Sequence, residues 1–203
     1  MMTGNHSHDQ YPLTGIILAG GKNTRMGTNK AFITVYGQRI IDRTADLFNA
    51  LFRQVILVTN APLEYSLLDI EIAADLMQES SPLTGIYTGL FYSSSPYCFV
   101  AGCDMPLINR SVLEYMISLY PHHDVIIPLL EDGYHPLHAI YSKRSMKPME
   151  DLLRAGKFKI TDVFSRVRLC EVTAHEVRPL DPGLRSFFNI NTPEDLNRLT
   201  GMP

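Results

Sequence analysis

Short apolar runs separated by an amphipathic stretch define the pattern of the first sixty residues. Residues 15–19 and 55–59 form nearly continuous apolar runs, which is typical of strands buried on both faces of a sheet. Between them, residues 38–52 carry apolar side chains at helical spacing, so we predict an amphipathic helix that packs on the sheet. A strand, a helix and a second strand in this order predict a parallel, right-handed crossover.

The same alternation continues through the rest of the chain. The pattern predicts further strands over 70–74, 97–101, 124–128, 136–141 and 168–172, and helices that begin near 84, after 109, at 146 and at 193. Asn109 and Thr192 are predicted helix caps, and Asp195 is placed to complete a capping box with Thr192. Gly156 is expected to end the helix over 146–155. These elements predict an α/β fold with three layers, in which helices cover both faces of a doubly wound, mostly parallel sheet.

A chain of 203 residues can form one α/β domain with a substantial core. We predict a disordered N-terminal tail over residues 1–12 and a single domain over 13–203, because no linker, repeat or low-complexity tract divides the chain. The tail is polar and has no apolar centre, so we expect neither a signal peptide nor an anchor. Its His6 and His8 could bind a metal, although a mobile tail explains them better.

Composition and charge narrow the classes of function. Apolar residues make up 45% of the chain and charged residues 19%, as in ordinary globular proteins. The formal net charge of -3 is spread over stretches of mixed sign, so we expect no nucleic-acid partner, and no apolar run approaches the length of a membrane span. The three cysteines, Cys98, Cys103 and Cys170, lack the spacing of a metal or redox site, which favours a reducing, cytoplasmic location.

Polar residues and glycines follow the predicted strands at their carboxyl ends. Gly20 follows the first strand, Asn60 the second, and Asp75 and Asp104 the next two. Ligands of doubly wound sheets bind beyond the carboxyl ends of the strands. The sequence therefore predicts that these four residues lie at one edge of the sheet, around a ligand.

The loop from Gly20 to Lys30 carries the strongest local signal. The consecutive glycines Gly20 and Gly21 allow the backbone to approach an anion, while Arg25 and Lys30 supply a forked and a point positive charge. We interpret this loop as a polyphosphate cradle, with a flexible turn that happens to carry cations as the alternative. The loop lacks the Gly-Lys-Ser/Thr ending of a P-loop and the third glycine of the dinucleotide fingerprint.

The motifs of this chain resemble those of a known family. Leu18-Ala19-Gly20-Gly21, Arg25-Met26-Gly27 and Lys30-Ala31 resemble the signature of nucleotidyltransferases, and specifically of the molybdenum cofactor guanylyltransferases. The second glycine separates the chain from relatives that read Leu-Ala-Ala-Gly, among them the cytidylyltransferases of the same cofactor. Further matches, in the family's order, lie at 82–85, 102–106, 136–139 and 189–196. The resemblance covers nearly everything after residue 14.

The resemblance implies transfer of GMP from GTP to the terminal phosphate of molybdopterin that carries molybdenum, with pyrophosphate as the other product. It implies catalytic roles for Arg25, Lys30 and Asp104 and a Mg²⁺ cofactor. The implied GTP-binding residues are Leu18, Ala19, Gly20, Gly21, Lys30, Asn60, Asp75, Gly85 and Asp104. Cytidylyl or other nucleotidyl transfer to a related phosphate, and a carrier that binds without turnover, are the alternative functions. A GTP-binding accessory protein and acceptor molybdoenzymes are candidate partners.

The two carboxylates also carry physical arguments of their own. Asp104, a lone carboxylate at a strand end, can hold Mg²⁺ together with phosphate oxygens and waters, although a turn aspartate would look the same in sequence. Asp75 suits guanine, whose N1–H and N2–H₂ groups are both donors, although it could also cap a strand. Asn191, with Asn189 as a weaker candidate, resembles a position near the metal or the second substrate, and a turn before the last helix explains both residues nearly as well.

For several other residues the sequence leaves a functional role undecided or favours a structural one. The family commonly has an acidic residue just before the loop lysine, where this chain has Asn29, so we expect no help from such a charge in orienting Lys30. His135 and His138 lie in the region that should face the pterin, and either a specific contact or ordinary packing explains them. Cys103 is expected to be a small buried thiol without chemistry.

Overall fold

Ten strands and six α-helices form the described part of the chain, which in the computed structural model comprises residues 10–20, 29–77 and 79–200. The strands are β1 (Tyr11–Leu18), β2 (Thr34–Val35), β3 (Gln38–Arg39), β4 (Phe52–Val58), β5 (Glu71–Ala73), β6 (Tyr97–Gly102), β7 (Val125–Leu130), β8 (Gly133–Tyr134), β9 (His138–Ser142) and β10 (Leu169–Thr173). The α-helices are α1 (Ile40–Leu51), α2 (Pro82–Tyr92), α3 (Arg110–Ser118), α4 (Met146–Arg154), α5 (Ala174–Val177) and α6 (Pro193–Thr200). Short 3-10 helices cover Lys30–Phe32, Pro62–Tyr65, Lys143–Ser145, Ile160–Arg166 and Arg185–Phe187.

The main sheet has the strand order β10-β7-β9-β6-β1-β4-β5, and β8 pairs with β7. β1 runs parallel to both of its neighbours, β4 and β6, and the pairs β4–β5 and β7–β10 are parallel as well. β9 alone among the strands of this path runs antiparallel, to β6 and to β7. The connection from β7 to β9 is too short for a parallel crossover, which needs a dozen or more residues, so this strand must reverse. The predicted α/β fold with a mostly parallel sheet is confirmed.

Helices cover both faces of this sheet, as predicted. On one face, α1 and α3 pack with alternate side chains of β1 such as Leu13 and Ile17. On the other face, α2 and α4 pack with the intervening side chains Ile16 and Leu18. The side chains of a strand alternate between faces, so a continuously apolar β1 serves two cores at once. α2 lies close enough to β1 that a Cβ atom at Gly89 would be 2.6 Å from Cδ1 of Ile16.

The predicted helix ends are confirmed by their hydrogen bonds. The Asn109 side chain accepts a hydrogen bond from the backbone N–H of Ser111 at the start of α3. At α6, Asp195 donates its backbone N–H to Thr192 Oγ1 at 3.2 Å, and Asp195 Oδ2 accepts from the backbone N–H of Thr192 at 2.9 Å. This reciprocal pair is a capping box. Gly156 follows α4 with a φ of +68°, a conformation that favours glycine.

The N-terminal boundary differs from the prediction. β1 begins at Tyr11, inside the stretch 1–12 that we assigned to the tail, because Tyr11 pairs with Phe52 at the start of β4. Residues 1–9, with His6 and His8, lie outside the described residues. The two-stranded sheet of β2 and β3 and the 3-10 helices were not predicted. Among the helices described, none is both long and apolar enough to cross a membrane.

Candidate functional site

Two adjoining cavities lie at the carboxyl ends of β1, β4 and β6. The first cavity is lined by Leu18, Gly20, Val58, Thr59, Asp75, Ser80, Ser81, Pro82, Gly85, Gly102, Cys103, Asp104 and Leu137. The second cavity is lined by Ala19, Gly20, Asn29, Thr59, Asn60, Ala61, Glu64, Tyr65, Ser80 and Cys103. Since the two cavities share residues 20, 59, 80 and 103, they form one continuous site. The structure thus brings the four predicted strand-end residues to one edge of the sheet.

A polar pair joins the loops that follow β4 and β5. Asn60 Nδ2 donates to Asp75 Oδ2 at 2.8 Å, and the backbone N–H of Asp75 donates to Asn60 Oδ1 at 3.2 Å. The hydroxyl of Ser80 also donates to Asp75 Oδ2, at 3.3 Å. The second carboxylate oxygen, Oδ1, is buried and has no hydrogen-bond partner within the described part of the chain. A buried acceptor without a partner is costly, so Asp75 Oδ1 is well suited to receive donors from a ligand.

Asp104 lies in the turn after β6, and backbone hydrogen bonds fix this turn on both sides. The N–H of Cys103 donates to the carbonyl of Leu18 at 3.0 Å, and the N–H of Ile190 donates to the carbonyl of Asp104 at 2.9 Å. The carboxylate lies over Gly102, where an added Cβ atom would be only 2.7 Å from Asp104 Oδ1. Glycine at position 102 therefore leaves room for the carboxylate in its present orientation.

Burial and a nearby cation have opposite effects on the pKa of the Asp104 carboxyl. Burial raises the pKa of the Asp104 carboxyl, and the nearby positive charge of Lys30 opposes this rise. A buried carboxylate gains the most from a cation placed beside it, because little water is available to solvate its charge. The site therefore favours a positive partner at Asp104.

Lys30 and Asn191 come together from distant parts of the sequence. Lys30 Nζ donates to Asn191 Oδ1 at 2.8 Å. Lys30 opens the short 3-10 helix Lys30–Phe32, and the side chain of Asn29 caps this helix by accepting from the N–H of Ala31 at 3.1 Å. An amide oxygen orients the ammonium group of Lys30 without neutralising its charge. Asn189, two residues before Asn191, has a buried Oδ1 without a partner among the described residues.

Leu18, Ala19 and Gly85 form the floor of the site. The backbone N–H of Ala19 donates to the carbonyl of Val58 at 2.9 Å, which continues the β1–β4 ladder to the cavity. A Cβ atom at Gly85 would be 3.2 Å from Leu18 Cδ2, so Gly85 allows α2 to pack closely on this leucine. A nucleotide contact for these residues stays a prediction. Gly21 and Arg25, the other predicted loop residues, lie outside the described residues.

Several lining residues were missed by sequence reasoning. Glu64 and Tyr65 line the second cavity, and they belong to the 3-10 helix Pro62–Tyr65 that follows β4. The rule that ligands bind beyond the carboxyl ends of strands covers this segment as well as Asn60, so it could have identified both residues. Ser81 caps α2 by accepting from the N–H of Thr84 at 3.1 Å.

A third cavity lies beyond β7. It is lined by Leu130, Glu131, Asp132, His135, Gly183, Leu184, Arg185, Phe187 and Phe188. His135 Nε2 lies 3.0 Å from Asp132 Oδ1, and the His135 ring packs on Phe187 at 4.9 Å between centroids. The same phenylalanine also packs on His138, with 4.8 Å between the ring centroids.

His138 is a core residue. Its ring lies against Phe99 at 5.1 Å and Phe187 at 4.8 Å, and neither ring nitrogen has a hydrogen-bond partner among the described residues. Burial lowers the pKa of His138 to about 3, so the imidazole is neutral in the folded protein. The surroundings of His138 therefore agree with ordinary packing in the core.

The donor groups of the site suit a particular kind of metal ion. Within the described residues, no group of three or more His, Cys, Asp or Glu side chains could hold a metal. Burial also raises the pKa of the Cys103 thiol to about 12, so this neighbour of Asp104 stays protonated and is a poor ligand. Mg²⁺ usually binds to one or two carboxylates and completes its shell with waters and substrate phosphates. The lone carboxylate of Asp104 fits an ion that arrives with a polyphosphate.

The comparisons with known proteins agree with this geometry. The family model for the MobA-like NTP transferase domain matches residues 15–170. A molybdenum cofactor guanylyltransferase of Desulfosudis oleivorans is 36% identical over 188 residues, which are 92% of this chain and 93% of that protein. A probable molybdenum cofactor guanylyltransferase of Natranaerobius thermophilus is 36% identical over 192 residues, 92% of this chain and 94% of that protein. The crystal structure of molybdopterin-guanine dinucleotide biosynthesis protein A from Archaeoglobus fulgidus has a TM-score of 0.82 at 27% identity, and the match covers 92% of this chain and 96% of that one.

Proposed function

Because this chain belongs to the MobA-like NTP transferase family, we propose that it transfers GMP from GTP to the terminal phosphate of molybdenum-loaded molybdopterin. The products are the guanine dinucleotide cofactor and pyrophosphate. The observation that carries this proposal is that Asp75 and Asp104 both line the first cavity, while the positive charge of Lys30 lies close enough to Asp104 to act on its carboxylate. Such a site offers an acceptor for a base and, at a separate point, positive charge and a carboxylate for phosphates.

The base is bound at Asp75 in this proposal. The buried Oδ1 of Asp75 lacks a partner in the described structure and can accept from N1–H and N2–H₂ of guanine. Asn60 and Ser80 hold the other oxygen, so the carboxylate is already oriented when the base arrives. Adenine offers no such pair of donors, and a site with buried groups that need partners discriminates strongly against the wrong base.

The phosphates are bound at Lys30, and at Arg25 in the part of the loop outside the described residues. A phosphate nucleophile that attacks the α-phosphorus of GTP is repelled by the charge around it, so positioning and charge neutralisation supply most of the catalysis. Lys30 can supply this neutralisation because its partner, Asn191 Oδ1, is uncharged. Leu18, Ala19 and Gly20, at the end of β1, line the two cavities and are the backbone contacts that we propose for the nucleotide.

We also propose that Asp104 holds Mg²⁺, with Asn191 as a second candidate ligand. When bound, the ion would neutralise charge on the phosphates and orient them. The half-buried Asp104 carboxylate and the glycine beneath it support this assignment, because together they provide an oxygen donor with room beside the first cavity. A cytoplasmic GTP-binding accessory protein and the molybdoenzymes that receive the product are the partners that we propose for this activity.

Pyrophosphate release tests the proposal. Release is measured with Mg²⁺ and molybdenum-loaded molybdopterin, with GTP, CTP or ATP as donor, for the wild type and for Asp104→Ala. We expect release with GTP and its loss in the variant. A preference for CTP would overturn the base assignment and support cytidylyl transfer. Tight GTP binding without release would instead favour another acceptor or a carrier that does not turn over.

A further inference from the structure

Glu64 lines the second cavity, and the proposed function gives it no role. It lies in the 3-10 helix Pro62–Tyr65, and its Oε2 accepts a hydrogen bond of 2.7 Å from Nδ2 of Asn29. The same nitrogen of Asn29 donates to the hydroxyl of Tyr65 at 2.8 Å. Two consecutive residues of this helix therefore hold one amide group, which belongs to a segment 35 positions earlier in the chain.

The opposite end of the Asn29 side chain is also fixed. Its Oδ1 accepts from the backbone N–H of Ala31 and caps the 3-10 helix Lys30–Phe32. An Asn side chain that is held through both its oxygen and its nitrogen has one orientation, so the turn that it caps has one orientation as well. Lys30 is the first residue of that turn, so the turn fixes the point from which its side chain extends toward Asn191.

The other end of this short helix is held by packing. The ring of Phe32 lies 5.1 Å from the ring of Tyr65, and only 2% of Tyr65 is exposed. The segment Pro62–Tyr65 therefore contacts both the cap and the last residue of the helix that begins with Lys30. Backbone hydrogen bonds and the buried side chain of Ala31 hold the turn as well, and the hydrogen bonds to the Asn29 amide add the tie between its capped end and the segment Pro62–Tyr65.

We propose that Glu64 is a positioning residue for the transfer reaction. Through Asn29, its carboxylate fixes the turn that presents Lys30 to the triphosphate. A hydrogen bond to a charged acceptor is shorter and roughly twice as strong as a neutral one, which gives the carboxylate an advantage over an amide at position 64. The inference rests on the proposed function, since it requires Lys30 to contact the nucleotide phosphates.

Substitutions at Glu64 give the first test. We expect Glu64→Ala to lower kcat for pyrophosphate release about tenfold, because small displacements of a catalytic cation cost large factors in rate. Glu64→Gln keeps an acceptor oxygen without the charge and should lose about threefold. Glu114→Gln is the matched control, because Glu114 is bonded to Arg110 on α3 and lines none of the three cavities described above. The melting temperature of each variant is measured alongside, and equal rates for the Glu64 variants and the control would overturn the proposal.

A reversal of the hydrogen bond gives the second test. In Asn29→Asp/Glu64→Gln, the new carboxylate at position 29 can still cap the helix, and the new amide at position 64 can donate to it. We expect the double variant to recover most of the wild-type kcat, whereas Asn29→Asp alone places two carboxylates against each other and should be slower than the double variant. If the double variant is no faster than Asn29→Asp, the contact does not position Lys30.

A double-mutant cycle with Lys30 separates positioning from a general effect on folding. If Glu64 acts through Lys30, Glu64→Ala should have no further effect on kcat or on GTP affinity in a Lys30→Ala background. Independent, multiplying effects would overturn the proposal. GTP affinity is measured by calorimetry without the acceptor. A wild type that neither binds nor uses GTP would overturn the proposed function and this inference together, while an active wild type with unaffected Glu64 variants would overturn this inference alone.

Discussion

The carboxyl edge of the sheet has two regions that are built differently. The nucleotide region, at the ends of the parallel strands β4, β1 and β6, contains polar side chains that bind one another in pairs, such as Asn60 with Asp75 and Lys30 with Asn191. The hairpin region, around β7, β8 and β9, contains a row of packed rings in which Phe187 contacts both His135 and His138. In the hairpin region the strands β9 and β8 run antiparallel to β7.

This difference explains why site residues of the nucleotide region could be predicted from the pattern of strands, whereas the lining of the third cavity could not. Parallel strands place all their carboxyl ends at one edge, so a polar residue after an apolar run is already assigned to the site. The third cavity instead combines residues 130–135 with residues 183–188, which come from two loops about fifty positions apart. We therefore expect substitutions in the nucleotide region to change activity and those at the buried rings of the hairpin region to change stability.

The largest effect is expected at Lys30. Lys30→Ala removes the positive charge proposed to neutralise the phosphates and should lower kcat/KM for GTP about 100-fold. Lys147→Ala is the control, since Lys147 is paired with Asp151 on α4 at 2.7 Å, away from both cavities of the nucleotide region. Steady-state pyrophosphate release measures both variants. Equal losses in the two variants would show that the effect of Lys30→Ala is not specific to the nucleotide region.

Two glycine substitutions, one at the candidate site and one in the core beneath it, separate an effect on activity from an effect on stability. In Gly102→Ala, the new Cβ atom would be 2.7 Å from Asp104 Oδ1, so the carboxylate must turn away and kcat should fall about thirtyfold. In Gly89→Ala, the new atom would instead meet Ile16 at 2.6 Å within the core, which should cost about 1–3 kcal/mol of unfolding free energy. Urea unfolding and turnover are measured for both. An active Gly102→Ala enzyme would contradict the role of Asp104.

A smaller effect is expected on base selection at Asp75. Inosine triphosphate lacks the 2-amino group, so the wild type should prefer GTP over it by about tenfold, the value of one hydrogen bond to a charged acceptor. Asp75→Asn should reduce this preference, because an amide is a weaker acceptor and also presents donors. Asp69→Asn, in the exposed loop before β5, is the control. An unchanged ratio of kcat/KM values in Asp75→Asn would place the base elsewhere.

The smallest effect belongs to the hairpin region and concerns stability. Burial lowers the pKa of His138 to about 3, so between pH 6.5 and that value the unfolded chain binds a proton that the folded protein does not. This group therefore leaves the free energy of unfolding unchanged at high pH and lowers it progressively as the pH falls through 6.5 toward 3. Between pH 8 and pH 6 the loss should be about 1 kcal/mol.

The variant His138→Leu checks this assignment. Because leucine does not titrate, the loss of stability between pH 8 and pH 6 should be smaller in the variant than in the wild type by that amount. The midpoint of urea unfolding at the two pH values gives the difference for each protein. Parallel curves for wild type and variant would show that His138 is protonated or solvated in the folded state.

Much of the fold followed from apolar runs, and the exceptions have physical reasons. β1, β4 and β6 are buried on both faces, so their composition identifies them. The β2–β3 hairpin escaped notice because each strand has two residues, too few for any periodicity. Its turn also lacks the usual Asn-Gly or Asp-Gly signature, because Tyr36 stands before Gly37. Both residues nevertheless adopt positive φ angles, 51° and 82°.

The site was predictable in its members more than in its contacts. Strand-end position and motif resemblance identified Asp104, Asn60, Asp75 and Lys30. The structure places the first three in the lining of the adjoining cavities and brings the charge of Lys30 near Asp104. No local pattern in the sequence indicates that Asn60 bonds to Asp75 or that Glu64 holds Asn29, because these contacts depend on the spacing of neighbouring loops. Their roles in catalysis stay predictions that the variants above can test.

The contact between Lys30 and Asn191 also bears on the order of events in folding. It joins residues 161 positions apart, and contacts of such separation are slow to form because a long loop must close first. During refolding, helical circular dichroism should therefore return before triphosphate binding. The delay between the two signals would measure how long the segment around Asn191 takes to dock. Recovery of triphosphate binding would then report that the native topology is complete.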